Sequence, residues 1–245
     1  MPPARIVSLV PSLTELLFDL GLGSSVVGRT RFCIHPREKV ERVPIIGGTK
    51  NPRIDKIREL KPDLIIANKE ENRKEDVEEL QKDFEVMVTE IDTIDEALFA
   101  IHDIGWTCGV QEQAKQLISD IQNELIKVPD EPALSAAYFI WRDPWMSVGN
   151  DTYIHSVLDH WNLKNVYADK TRYPKTSLHE LTLKNPELIL LSSEPYPFKE
   201  KHIAEVSQFC PKSNVILING EWFSWYGSRM LHAFKQLNLF RKAIG

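Results

Sequence analysis

The stretch IDKIRELKPDLIIAN, residues 54–68, holds a helix, a turn and a strand in one short run. Ile54, Ile57 and Leu60 recur at helical spacing and mark a short amphipathic helix, while Leu64 to Ala67 is an unbroken apolar run of strand length. Lys61-Pro62-Asp63 separates them, since proline cannot continue a helix and supplies no N–H to a strand. Sliding the chain by 124 positions lays Ile54, Ile57, Pro62, Asp63, Leu64, Ile65 and Ile66 on Leu178, Leu181, Pro186, Glu187, Leu188, Ile189 and Leu190. A second, weaker echo at 141 places Leu13, Leu17, Gly21 and Leu22 on Ile154, Leu158, Asn162 and Leu163, pairing the two residue types that tolerate a left-handed helix end. Two echoes in sequential order predict two similar α/β lobes.

Working outward, Arg5 to Val10 reads as a buried strand that stops at Pro11. Ser12-Leu13-Thr14-Glu15 matches a capping box, predicting a helix from Leu13 to Leu20 with Gly21 as its cap. Val86 to Val88 is the next strand. Gln111 to Ile126 carries Ala114, Leu117, Ile118, Ile121 and Leu125 at helical spacing without Gly or Pro, a rod of about 24 Å at roughly 1.5 Å per residue. The expected organisation is an N-terminal α/β lobe over 1–108, an interlobe backbone helix over 109–128 and a C-terminal α/β lobe over 129–245. The fold class is α/β: two Rossmann-like lobes with parallel sheets, joined by one long rigid helix, with the ligand cleft between them.

Composition narrows the function. The 245 residues carry a formal net charge of −5, which offers no basic surface to a phosphate backbone and argues against nucleic acid as a partner. Cys33, Cys108 and Cys210 are an odd number without C-x-x-C spacing, so neither a disulfide framework nor a zinc ribbon is expected. No run approaches the roughly 18 apolar residues of a spanning helix. The start MPPARIVSLVPSLTE lacks a basic n-region, so it does not read as a signal peptide, and the expectation from this chain is a cytoplasmic protein unless a leader was removed.

Open α/β sheets bind ligands at the carboxyl ends of their strands, and the loops there differ between the halves. Trp141, Trp145, Tyr173, Tyr196, Trp222, Phe223, Trp225 and Tyr226 fall in the second half, four of them in GEWFSWYGSR, residues 220–229, which is read as a loop. The first half supplies polar groups, Lys50 and Asn68 among them, and one aromatic, Phe32. An aromatic wall with a polar floor suits a large flat ligand with a hydrophilic fringe. Arg31, Lys50, Arg142 and Arg229 also lie in these loops, where planar guanidinium forks could meet carboxylates, amides or a phosphate, while some would pair with Asp143 and Glu221. Cys33 and His35, two apart in FCIHP, are candidate metal ligands with Glu15 as a third, although a buried thiol and a capping imidazole explain the pair more simply. The acid-rich run 69–83 reads first as a solvated helix face.

The segments RIVSLVPSLTELLFDLGLGSSVVGRT (5–30), IDKIRELKPDLIIAN (54–68) and EWFSWYGSR (221–229) resemble the helical-backbone periplasmic binding proteins that serve cobalamin, haem and ferric-siderophore ABC importers. Within that family the chain looks most like the cobalamin-binding branch. The resemblance implies a binding protein and no enzyme, a periplasmic or cell-surface location, no required cofactor, and a corrinoid or other metal chelate as bound ligand. It implies Trp145 and Trp222 as ring contacts, with Phe223 and Arg229 beside them, and the loop positions add Trp141, Arg142, Tyr173 and Trp225 as further candidate contacts. It further implies that one surface acid per lobe docks on the membrane subunits of the importer, with Glu75 or Asp76 and Glu200 as candidates. Two rival readings use the same architecture: a cytosolic tetrapyrrole chelatase working through His35 with Glu15 or Glu70, and a leaderless corrinoid- or haem-binding protein.

Overall fold

A computed structural model describes residues 2–245. In chain order the first elements are β1 Ile6–Ser8, α1 Pro11–Asp19, β2 Val26–Arg29, α2 Arg37–Val40, α3 Ile54–Leu60, β3 Leu64–Asn68, α4 Lys74–Leu80, β4 Val86–Thr89, α5 Ile94–Thr107 and α6 Gln111–Leu125. There follow β5 Leu134–Phe139, β6 Trp145–Met146, α7 Tyr153–His160, β7 Leu163–Asn165, β8 Lys175–Thr176, α8 Leu178–Lys184, β9 Leu188–Ser192, α9 Glu200–Phe209, β10 Asn214–Ile218, α10 Glu221–Ser224 and α11 Arg229–Ile244. Two parallel sheets result, ordered β2-β1-β3-β4 and β10-β9-β5-β7, with β6 and β8 as a separate antiparallel pair. Helical crossovers between neighbouring parallel strands are what this strand order requires.

The chain divides into two compact units. Unit 1 comprises the chain up to Ile91 together with Asp95–Gln122 and Tyr226–Leu231. Unit 2 comprises Asp92–Ile94, Asn123–Trp225 and His232–Gly245. In unit 1, Val7, Leu9, Ile57, Ile65 and Leu80 belong to one buried cluster. In unit 2, Ala137, Phe139, Leu181, Ile189 and Val206 belong to another. Ile57 and Leu181, which the 124-residue shift superimposes, occupy the same place in each: the helix face laid on the sheet.

The repeat extends to backbone detail. Lys61 ends α3 with φ 46°, and Asn185 ends α8 with φ 45°, so both proline turns begin from a left-handed residue. Beyond each proline an acid clamps the start of the neighbouring strand. The Asp63 carboxylate accepts the Ala4 and Arg5 N–H groups at 2.9 Å each, and the Asp63 N–H donates to the Arg5 carbonyl at 2.8 Å. The Glu187 carboxylate accepts the Ser135 N–H at 2.8 Å, and the Glu187 N–H donates to the Ser135 carbonyl at 3.0 Å. These bonds hold the Glu187 carboxyl below its ordinary range. The acid thus sets the register of β1 against β3 and of β5 against β9, which a one-residue slip would turn inside out.

One local expectation fails. Helix α1 starts at Pro11, with Val10 as an extended N-cap residue and no side-chain cap, so Ser12 and Glu15 do not form a capping box. Proline at the first helical position needs no cap for its absent N–H and brings the helix start forward, leaving Ser12 inside the first turn. Thr14 turns its hydroxyl back to the Val10 carbonyl at 2.8 Å, and Glu15 is taken by Arg229. The other end follows the expectation: Gly21 has φ 84°, with Leu22 N–H on the Leu17 carbonyl at 2.8 Å and Gly21 N–H on the Phe18 carbonyl at 3.1 Å. Asn162, the residue that the weaker echo pairs with Gly21, has φ 56° at the end of α7.

Candidate functional site

In unit 2 the strand-end segments carry a graded set of rings. Trp141 follows β5 and is 39% exposed, meeting Tyr196 edge-on with centroids 5.7 Å apart. Tyr196 packs against Phe198 at 4.8 Å, Phe198 stacks on Trp145 at 5.6 Å, and Trp145 meets Phe139 edge-on at 5.2 Å. Trp141 is the most exposed ring of the series, while Phe198, Trp145 and Phe139 are all buried, so the outer ring rests on a packed stack. His202 supports the stack from behind: its Nδ1 accepts the Lys199 N–H at 2.8 Å, and its Nε2 lies 3.4 Å from the Tyr196 hydroxyl. Burial depresses the His202 pKa, which keeps Nδ1 free to accept.

Several expected ligand contacts have other work here. Trp145 sits in β6, 9% exposed, as part of the unit 2 core cluster. The antiparallel pairing of β6 with β8 folds it inward. Phe223 is fully buried against Tyr138, with centroids 5.0 Å apart, because residues 221–224 form the helical turn α10 and not an open loop. Both rings are core packing. Trp225 is 8% exposed and donates its indole N–H to Glu194 at 2.8 Å, beside the Ser224 hydroxyl at 2.6 Å on the same oxygen. Trp222, on the same turn, remains half-buried. Tyr173 is also half-buried, with the Arg172 guanidinium 5.8 Å from its ring. Arg142 spans Glu205 through two bonds of 3.0 and 2.9 Å and lies 5.9 Å over the Trp145 ring. The Glu205 bond raises its pKa and neutralises it as an anion receptor.

Unit 1 shows a different surface. Phe32 is 51% exposed, with the Arg31 guanidinium 5.6 Å from its ring. Lys50 reaches the Glu70 carbonyl and is otherwise exposed. Asn68 is only 1% exposed, and its side chain is consumed within the fold. Its amide N–H groups face Thr89 at 3.1 Å, and its oxygen accepts the Glu70 and Glu71 N–H groups at 2.9 and 3.1 Å. It shapes the loop after β3 and has no capacity left for a ligand. Arg229 donates to Glu15 through two bonds of 2.9 and 2.5 Å, both side chains being largely buried.

Cys33 is engaged within the fold and not presented at the surface. Cys33 is 0% exposed, with the Thr14 and Thr30 hydroxyls at 3.0 and 3.2 Å, and burial raises its pKa, so the thiol and not the thiolate is favoured. Among the described residues no group of three or more His, Cys, Asp or Glu side chains could hold a metal ion. Of the acids expected to dock, Glu75 and Glu200 are exposed, whereas Asp76 is held by Arg73 through bonds of 2.8 and 3.0 Å.

Two features lay outside the expected site. Glu194 fixes Trp225 and Ser224, a role that no spacing in the sequence signals. Arg53 joins Arg31, Ile45, Gly47 and Asn51 around an open recess of about 330 Å³. A signal for the recess did exist. Residues 29–56 hold eight Lys and Arg against three Asp and Glu, in a chain whose net charge is −5.

Comparison with known proteins agrees with this architecture. A family model described as "Periplasmic binding protein" matches residues 6–209. The ABC transporter substrate-binding lipoprotein YvrC of Bacillus subtilis is 31% identical over 202 residues, which is 77% of this chain and 63% of that protein, so the chain spans under two thirds of that relative. A vitamin B12-binding protein of Pectobacterium carotovorum is 26% identical over 96% of this chain and 87% of its own length. Among solved structures, the vitamin B12 binding protein BtuF of Vibrio cholerae superimposes with TM-score 0.85 at 23% identity, over 99% of this chain and 98% of that one. A periplasmic haem-binding protein from Pseudomonas aeruginosa gives 0.83 at 18% identity, over 97% and 92%. Among the described residues no helix is long and apolar enough to cross a membrane. The chain belongs to the periplasmic binding protein family, and it is a binding protein rather than an enzyme.

Proposed function

We propose that this protein captures a metal chelate of the corrinoid class, in the periplasm or at the cell surface, and presents it to the membrane subunits of an ABC importer. The observation that carries the reading is the ring pair Trp141 and Tyr196, exposed at its outer edge and backed by Phe198 and Trp145. An indole pre-set on a packed stack excludes water from one face of a flat ligand without first having to be ordered, so little conformational entropy opposes capture. Trp222 supplies a second half-buried ring in the same unit. The similarity to vitamin B12-binding relatives over nearly the whole chain favours a corrin over other chelates. Glu75 and Glu200, each exposed in the first turn of its helix, are the acids for docking on the importer, where rim charges steer encounter more than they add affinity.

No bond is made or broken in this cycle. The test is a tryptophan-fluorescence titration with cyanocobalamin, haemin and a ferric siderophore. Cyanocobalamin should quench most strongly, and Trp141→Ala or Trp222→Ala should weaken binding by about tenfold, the equivalent of roughly 1.4 kcal/mol. Preferential quenching by haemin or the siderophore would move the assignment to that chelate, and an unchanged emission with all three would refute the chelate-binding class.

A further inference from the structure

We infer that the recess of unit 1 bounded by Arg31 and Arg53 is an oxyanion site, which takes a carboxylate or phosphate group through two guanidinium forks. Other arginines in the chain already face a carboxylate: Arg58 meets Glu79 and Asp83, Arg73 meets Asp76, Arg142 meets Glu205, and Arg229 meets Glu15. Arg31 and Arg53 are exposed and, among the described residues, neither has a carboxylate partner. What each does have is a positioning contact. Arg31 is held by the Asn51 side-chain oxygen at 3.5 Å and by the Phe32 ring, and Arg53 by the Ile45 carbonyl at 3.3 Å.

The backbone between them is built to bring the two together. Arg31 N–H donates to the Gly47 carbonyl at 2.8 Å, and Arg53 N–H donates to the Ile46 carbonyl at 2.6 Å, so both arginines are tied to one turn. Gly47 has φ 120°, and a Cβ there would stand 2.6 Å from the Asn51 carbonyl oxygen. At Gly48 a Cβ would stand 2.4 Å from the Asn51 side-chain oxygen and 3.3 Å from the Arg31 guanidinium, filling the space in which that fork is anchored. Two unpaired cations held on one turn repel each other until an anion joins them, and Lys56, whose ammonium lies on the Ile45 carbonyl at 2.7 Å, adds to the same field. Guanidinium is suited to this task because its planar fork matches the two oxygens of a carboxylate or phosphate.

At about 330 Å³ the recess lies at the small end of the roughly 300–1,000 Å³ of small-molecule sites, fitting an anionic group and not a whole macrocycle. The group therefore comes from a free polycarboxylate or phosphate, or from the carboxylate fringe of a chelate. The second source rests on the chelate-binding function proposed above, for a chelate with free carboxylates such as haemin rather than the amides of cobalamin, and the first does not.

The test uses the whole protein at low ionic strength, titrated calorimetrically with citrate, inorganic phosphate, haemin, and haemin dimethyl ester, whose carboxylates are masked. Citrate or phosphate binding that falls at least tenfold in R31Q/R53Q and weakens with added salt supports a free anion as the source. Haemin binding that falls at least tenfold both in R31Q/R53Q and on esterification supports the fringe. R31K/R53K, which keeps the charge and loses the fork, should give an intermediate loss while keeping the fold. Equal binding of every probe by wild type and R31Q/R53Q, or binding of no anion in either arm, overturns the inference. Chelates that bind indifferently to the variant and to esterification leave the proposed function standing and the recess refuted. Anions that bind where no chelate does give the reverse.

Discussion

Replacing Arg229 with Met tests the internal electrostatics of unit 1, because it removes one partner of a pair whose side chains are only 16% and 12% exposed. Breaking such a pair strands the remaining charge and costs about 3–5 kcal/mol, whereas removing both partners costs far less. For a chain of this size that corresponds to a drop of roughly 10 °C in the midpoint of thermal unfolding. The loss should depend on pH with a definite sign. Burial already raises the Glu15 pKa above 4.5, and Arg229 opposes that rise. A carboxyl whose folded pKa exceeds its unfolded value costs nothing in acid, where both states are protonated, and costs stability as pH rises through the folded value. Without Arg229 the folded pKa climbs further, so the destabilisation of R229M should be largest near about pH 7.5 and shrink toward about pH 4.5. Denaturant unfolding at both pH values, on wild type, R229M, E15Q and E15Q/R229M, completes a double-mutant cycle. The double variant should recover more than half of the loss seen in R229M at neutral pH. A loss under about 1 kcal/mol, or one that is greater in acid, refutes the idea that Arg229 serves to neutralise a buried Glu15.

Phe223→Ala should lower stability by about 3–5 kcal/mol in denaturant unfolding, because the ring is fully buried on Tyr138. Chelate affinity, extrapolated to the folded fraction, should stay within about twofold of wild type; a tenfold loss of affinity without a loss of stability would return Phe223 to the binding surface. Lys61→Gly should stabilise unit 1 by up to about 1 kcal/mol, since Lys61 holds φ 46° where only glycine is unstrained, and Asn185→Gly should gain less in unit 2 because asparagine tolerates that region. A destabilisation by Lys61→Gly would show that its side chain does more than occupy the turn.

The parts of the fold legible in the sequence are those where backbone geometry dictates residue type. KPDL and NPEL could be matched across 124 positions because each needs a left-handed residue, a proline and an acid in order, and each acid then bonds the start of the adjacent strand. Gly21 and Asn162 were readable for the same reason. Failures came where two motifs compete for one stretch. Pro11 and Ser12 can each start a helix, and the proline's fixed φ wins. The site was less legible, because ring burial depends on pairings that periodicity does not reveal. Two residues of β6 found a partner in β8, and that alone turned Trp145 from a wall residue into core. Asn68 looked like a ligand contact, yet an Asn after a strand closes its own turn just as readily. Arg53 was hidden at the entrance of α3, where its proximity to Arg31 depends on the Gly47 turn.

The repeat also explains how one loop design yields two kinds of surface. A shift of 124 carries Asn68 onto Ser192 and Glu70 onto Glu194, and the same bond recurs: Glu70 N–H donates to the Asn68 side chain at 2.9 Å, and Glu194 N–H donates to the Ser192 hydroxyl at 3.2 Å. The turn that ends the strand is therefore held in common, while what the loop supports has diverged. In unit 1 the Glu70 carbonyl receives Lys50, which extends from the same GGTKNPR segment that seats Arg53. In unit 2 the Glu194 carboxylate receives Trp225 and Ser224, and the chain continues through Tyr196 and Phe198 into the stack beneath Trp141. Because the conserved bond is made by the strand's last residue to its own loop, side chains beyond it can change from cationic to aromatic without disturbing either sheet. Specialisation at a strand end is cheap on this scaffold, since the turn is stabilised locally and the surface residues contribute little to it.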